Sequence, residues 1–213
     1  QPLHGQQSLL LHTGRVTGQA PSLGSWASYG LGSENQELPG YVLLNNDWIP
    51  NGGFENFASA FLPANHGATL LRAKGTTVDN IVPADKLSVQ RRKLDLLRDQ
   101  DLAFAKSSGH SDVIESAIKN YETAFRMQSA VPRVADISGE TEATHKMYGI
   151  DSTNDFKKYY ATHCLRARRL VESGVRFVEI TCPLPPSTNP PWDQPSNIRT
   201  YHSDNAIITH QSV

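Results

Sequence analysis

Residues 152–182 read STNDFKKYYATHCLRARRLVESGVRFVEITC, and this stretch decides the fold. Phe156, Tyr160, His163, Cys164, Ala167, Leu170 and Val171 recur at spacings of three and four, which gathers them on one wide apolar helix face. Ser152-Thr-Asn-Asp155 resembles a capping box with Asp in place of the usual Glu, so a helix over about 154–173 is expected to start there. Glu172-Ser-Gly174 ends it. Val175–Thr181 is nearly continuous in apolar character and reads as an interior parallel strand buried on both faces. Helix, glycine, strand, then loop is the order of an α/β sheet, and in such sheets sites collect beyond the carboxyl ends of the strands.

The proline-rich run Pro183–Pro191 leads from that strand to Trp192 and Asp193. A carboxylate just past a buried strand suits a hard or borderline metal ion, so Asp193 is the first candidate ligand. An Asp among prolines equally suits a plain turn. His202 and His210 follow in the terminal helix, eight apart, without the one-turn spacing of a helical zinc motif. His163, on the apolar helix face, reads as a satisfied core histidine.

Working outward, Tyr41–Leu44 is a buried strand and Thr69–Ala73 a second short one. Residues 5–13 form a short helix ended by Gly14. Ser22 caps another, Leu23–Leu31, with Gly32 past its end. Leu87, Leu94, Leu97 and Phe104 make one helical stripe; Ile114, Ala117, Ile118, Tyr121 and Phe125 make a second that runs to Pro132. Gly109 between them predicts an antiparallel helical hairpin. A further helix starts at Ser138 and ends near Gly149. His4, His12 and Arg15 cluster about the first helix, whose N-terminal amides favour an anion.

A formal charge of -1 gives no electrostatic footprint for nucleic acid or an anionic membrane. Arg166, Arg168 and Arg169 read as a solvated face. No run approaches the ~18 apolar residues of a membrane span. Two cysteines are too few for a disulfide scaffold. The chain starts on Gln1 and stops at Val213 within helical sequence, so it reads as an internal part of a larger protein.

Several blocks carry a resemblance. They are HTGR (12–15), PSLGSWASYGLGSENQELPGYVLLN (21–45), FASAFLPANHGATLLRA (57–73), CLRARRLVESGVRFVEI (164–180) and WD (192–193). Together the chain resembles the sulfatase-like proteins grouped as domain of unknown function 1501, and through them the alkaline phosphatase superfamily. The resemblance implies a three-layer α/β/α sandwich with a mostly parallel sheet, incomplete at both ends. Residues 1–213 would be the central part of one hydrolase domain, with a helical insertion at about 85–150. It implies an exported, periplasmic or extracellular hydrolase of sulfate or phosphate esters. A divalent metal (zinc, calcium, magnesium or manganese) would act on a small-molecule or carbohydrate ester.

On that resemblance Asp193 is a metal ligand, Asn197 or His202 stands in as a further one, and Arg15 is an anion contact. The nucleophile slot falls at or near His4, where the family's Cys or Ser is missing. His4 can serve as ligand, acid/base or nucleophile, and the residues do not choose. Related members read Trp-Asp-x-His; here Pro195 stands at the His position and removes one ligand. The rival reading is a non-catalytic relative that binds carbohydrate or a surface.

Overall fold

The computed structural model describes residues 3–17, 19–45, 49–72, 77–79, 81–109, 111–182, 192 and 196–212. Its centre is strand β1, Tyr41–Asn45, every residue of which is buried. β2, Thr69–Arg72, and β3, Phe177–Ile180, lie on either side of it, both parallel, in the order β2-β1-β3. Val42 is opposite Thr69 on one neighbour and Val178 on the other.

Alternation along β1 sends its side chains to two cores. Val42 and Leu44 join Leu71, Leu170 and the residues Met127, Ala130, Val131 and Val134. Tyr41 and Leu43 pack with Phe57 on the other face.

The helices are α1 (His4–Thr13), α2 (Leu23–Leu31), α3 (Leu87–Ser108), α4 (Asp112–Ala135), α5 (Glu142–Tyr148), α6 (Asp155–Glu172) and α7 (Ile198–Thr209). Ser22 caps α2 by accepting from the Ser25 amide. Asn154 caps α6, its side chain accepting from the amides of Phe156 and Lys157; the expected Ser152 instead accepts from Asn154 N. α5 begins after Thr141, not at Ser138. α4 continues three residues past Pro132. Val134 and Ala135 are buried there, and that burial offsets the hydrogen bond the proline removes.

α3 and α4 form the expected hairpin. Arg91 grips Glu122 through two bonds of 2.6 and 2.8 Å and lies over the Phe125 ring. The apolar stripe of α3 is only partly covered, since Leu87, Leu97 and Phe104 are exposed. The arginines of α6 are not a solvated face. Arg168 and Arg169 both bind Glu140, and Arg169 also donates to the Val134 carbonyl.

The expected three-layer α/β/α sandwich is not what forms. Among the described residues the sheet has three strands of four or five residues, while 59% of those residues are helical. The reason lies between β2 and β3. Four helices, α3 to α6, follow one another there without a strand, so the sheet gains no width and cannot make a broad middle layer. β3 is parallel, as its apolar run predicts, but it stands at the edge and its residues are half-buried.

Candidate functional site at the carboxyl edge of the sheet

Parallel strands bring the ends of β1 and β3 to one edge. Thr181 continues the ladder past β3, its amide donating to Leu44 O at 3.0 Å. Its hydroxyl donates to Asn45 Oδ1 at 3.1 Å. Both residues are buried. His163 of α6 is fully buried too. Burial, with the Arg166 charge as a second cause, lowers its pKa to about 4, while the Asn45 backbone beside the ring works weakly the other way. His163 is therefore neutral at physiological pH. Neither ring nitrogen makes a hydrogen bond of good geometry among the described residues. It is a core histidine, as the apolar face predicts, but not a satisfied one.

Past Thr181 the chain reaches Cys182, which the Trp192 side chain contacts as a hydrogen-bond partner. Tyr160 and Cys164 of α6 lie beside it. Burial pushes the Cys164 thiol up to about 11 and raises Cys182 as well. Both cysteines are free and stay protonated at neutral pH, which rules them out as resting nucleophiles. Trp192 has φ of 75°, a left-handed conformation that a bulky residue rarely adopts. Its ring meets the half-buried His202 ring edge-to-face, 5.6 Å between centroids. The turn at Trp192, the end of β3 and His202 of α7 thus converge. Asp193 and Pro195 lie outside the described residues.

His4 is the first residue of α1 and is exposed. Leu3, at the cap, has no side-chain oxygen to offer the first amides. The first turn sits against the loop that leaves β1, where a Cβ on Gly5 would come within 3.2 Å of Gly52 N. Arg15 is exposed beyond the other end of this 10-residue helix, which is about 15 Å long. His4 and Arg15 therefore do not share one anion site.

His12 does something the sequence reading missed. Its Nε2 is 2.9 Å from Glu179 Oε1 of β3, its Nδ1 is 2.8 Å from Ser8 O, and its ring meets Phe57 edge-to-face. Tyr41 donates to the other Glu179 oxygen. The bond to Glu179 is the main cause that raises the His12 pKa, against the opposing effect of burial. Burial and the Glu179 charge hold the Tyr41 phenol far above its usual range. The available signal was the single acid inside the apolar run Val178-Glu-Ile180.

Among the described residues no three His, Cys, Asp or Glu side chains come together to hold a metal ion. His202 is half-buried against Trp192, with Asp193 next in sequence. His202 alone falls short of the four or more donors that zinc, calcium or magnesium requires, so the described residues do not by themselves fit a metal centre. Among them, too, no helix is long and apolar enough to cross a membrane.

No curated protein and no solved structure gives a match to this chain. One family model does, that of the protein of unknown function DUF1501, and it matches residues 1–213. Spanning the whole sequence, that match makes the chain a member of the DUF1501 family.

Proposed function

We propose that the chain is part of a sulfatase-like hydrolase of sulfate or phosphate esters, related to the alkaline phosphatase superfamily and exported to the periplasm or beyond. The observation that carries the reading is the contact of Trp192 with His202, because it sets an imidazole beside the residue that precedes Asp193. An imidazole at the carboxyl edge of a parallel sheet, with an aspartate following its Trp192 partner in sequence, is the start of a ligand set for a divalent cation (zinc, calcium, magnesium or manganese). Groups other than those described would complete its shell. When bound, such an ion would polarise the ester oxygens. The first turn of α1, with His4, would meet the ester's anionic end through its backbone amides. The substrate would be a small-molecule or carbohydrate ester.

The test is metal analysis of the intact protein with its Asp193→Ala and His202→Ala variants, alongside aryl-sulfate and aryl-phosphate hydrolysis. Loss of bound metal and of hydrolysis in both variants is the expected result. Full metal content in both variants overturns the metal role of this edge.

A second reading has the sequence in its favour, with Pro195 at the expected His position and no Cys or Ser in residues 1–7. It is a non-catalytic relative that binds carbohydrate or a surface. An intact protein with no metal and no hydrolysis of either ester would select it.

A further inference from the structure

The opposite, amino edge of the sheet carries a cleft of about 710 Å³. Its floor is Pro39 and Gly40, just ahead of β1, and Ala68 and Thr69 at the start of β2. The floor is tight, since a Cβ on Gly40 would come within 2.7 Å of Ser28 Oγ. One wall is the single 3-10 turn Ala64–His66 and the other is α4. A second hollow of about 450 Å³ shares Ala64 and Asn120 with the first and runs on along α4 to Phe61 and Val113. The two make one elongated cleft.

Two features of that cleft point to its ligand. Its hydrogen-bonding groups are uncharged amides, hydroxyls and an imidazole: Gln36, Asn65, His66, Asn120 and Thr123. Lys119 is the one formal charge among the described lining residues of the larger hollow, and Asp112 is the one in the smaller. Asn65 Oδ1 is buried in this wall without a hydrogen-bond partner among the described residues. His66 is pinned by a 3.0 Å contact with Ser28 Oγ. Burial, helped by the Lys119 charge, lowers its pKa, so the imidazole is neutral.

The second feature is a run of aromatic rings that reaches the cleft at His66 and at Phe61. Tyr29 meets His66, Trp26 meets Tyr29, and Phe61 meets Trp26, all edge-to-face at 5.3 to 6.3 Å. The rings are far from buried, at 46% exposure for Trp26, 52% for Tyr29 and 69% for Phe61. A contiguous exposed apolar patch marks a binding surface, and aromatic side chains serve where a partner is apolar on one side and wet on the other.

We infer that this cleft binds a neutral oligosaccharide. A pyranose offers an apolar C–H face to an aromatic ring and hydroxyls at its edge to uncharged amides, which matches the rim and the walls. Nucleic acid needs a row of cations for its phosphates, and the larger hollow has one. The combined length suits several sugar units, and the volume is of the usual order for a ligand cleft. The cleft lies at the other edge of the sheet from the proposed ester site, so the two readings stand or fall separately.

The test is titration of the intact protein with cello-, xylo- and chito-hexasaccharides, followed by tryptophan fluorescence and calorimetry. Binding of at least one of them with Kd of about 1 mM or tighter is expected. Trp26→Ala should weaken it at least about tenfold, a loss of ~1.4 kcal/mol. Trp26→Phe should keep the binding and lose the fluorescence change. Phe61→Ala, at the exposed rim, separates binding from folding and should weaken only the longer sugars. No binding to any of the three probes overturns the inference. So does binding that survives both alanine variants, binding confined to sulfated sugars, or a Trp26-dependent dimer that takes no sugar.

Discussion

Tyr41 donates its phenol hydrogen to Glu179 Oε2 at 2.7 Å, tying the first residue of the central strand to the third residue of its edge neighbour. The other carboxylate oxygen holds His12. One acid thus joins α1, β1 and β3 on the face that the Phe57 cluster covers.

Glu179→Gln should destabilise the protein most at low pH. The His12 pKa is raised in the folded state, chiefly by its bond to Glu179, above an ordinary value near 6.5. A raised imidazole stabilises fully below the unfolded pKa, and that part is lost as pH rises through the folded value. Losing a charge-assisted bond costs about 1–3 kcal/mol. Urea unfolding of the native protein and the variant should therefore differ more at about pH 5.5 than at about pH 9. An equal difference at both values would remove His12 from the account.

Two glycines of α2 should respond with opposite sign. A Cβ on Gly24 would come within 2.5 Å of the Tyr41 ring, which is 1% exposed and anchored by its phenol. Gly24→Ala should lower stability by about 1–3 kcal/mol or more, as overpacking does. Gly30 faces open space, with nothing within 4 Å. Gly30→Ala should raise stability by about 0.5–1 kcal/mol through helix propensity. Thermal melts of the two variants decide the pair.

Alkylation should find both thiols slow. Burial keeps Cys164 near a pKa of about 11 and raises Cys182, so the thiolate fraction is small at neutral pH. Iodoacetamide labelling in native buffer should lag the same reaction in urea by about tenfold or more per cysteine. Fast native labelling of Cys182 would mean that its indole neighbour and its burial do not protect it.

The cap of α6 gives a direct mutational test. Asn154→Ala should cost about 1 kcal/mol, the usual loss for a cap whose side chain holds two amides. Ser152→Ala should cost less, because Ser152 accepts one amide in the turn before the helix. Chemical denaturation midpoints with unchanged slope would report both.

The contrast between those two residues shows what was legible. Periodicity located α6, apolar runs β1 and β2, and the Ser22 cap with Gly32 located α2, each to within a residue or two. Caps were harder, since Ser152 and Asn154 are both competent acceptors and only backbone geometry selects one. Pro132 misled because a single residue's local cost was outweighed by the burial of Val134 and Ala135. The sheet's width was not legible at all. One helix-glycine-strand unit says that a parallel sheet exists, not how many strands join it. Of the site, Trp192 and His202 were flagged separately, and their ring contact is a tertiary fact. Glu179 was visible as an acid inside an apolar strand, yet its two partners come from α1 and β1, more than 130 positions away.

The order β2-β1-β3 also governs how the chain can assemble. Thr181 and Asn45 meet across 136 positions, so the central strand stays without its second neighbour until that intervening stretch has been made. At cellular synthesis rates that wait is on the order of ten seconds. The helical hairpin of α3 and α4 is local and can close in the meantime, while the long loop to β3 must be closed against chain entropy. Tyr41-Val-Leu-Leu44, a stretch 0–1% exposed in the folded protein, thus keeps one open edge for that interval.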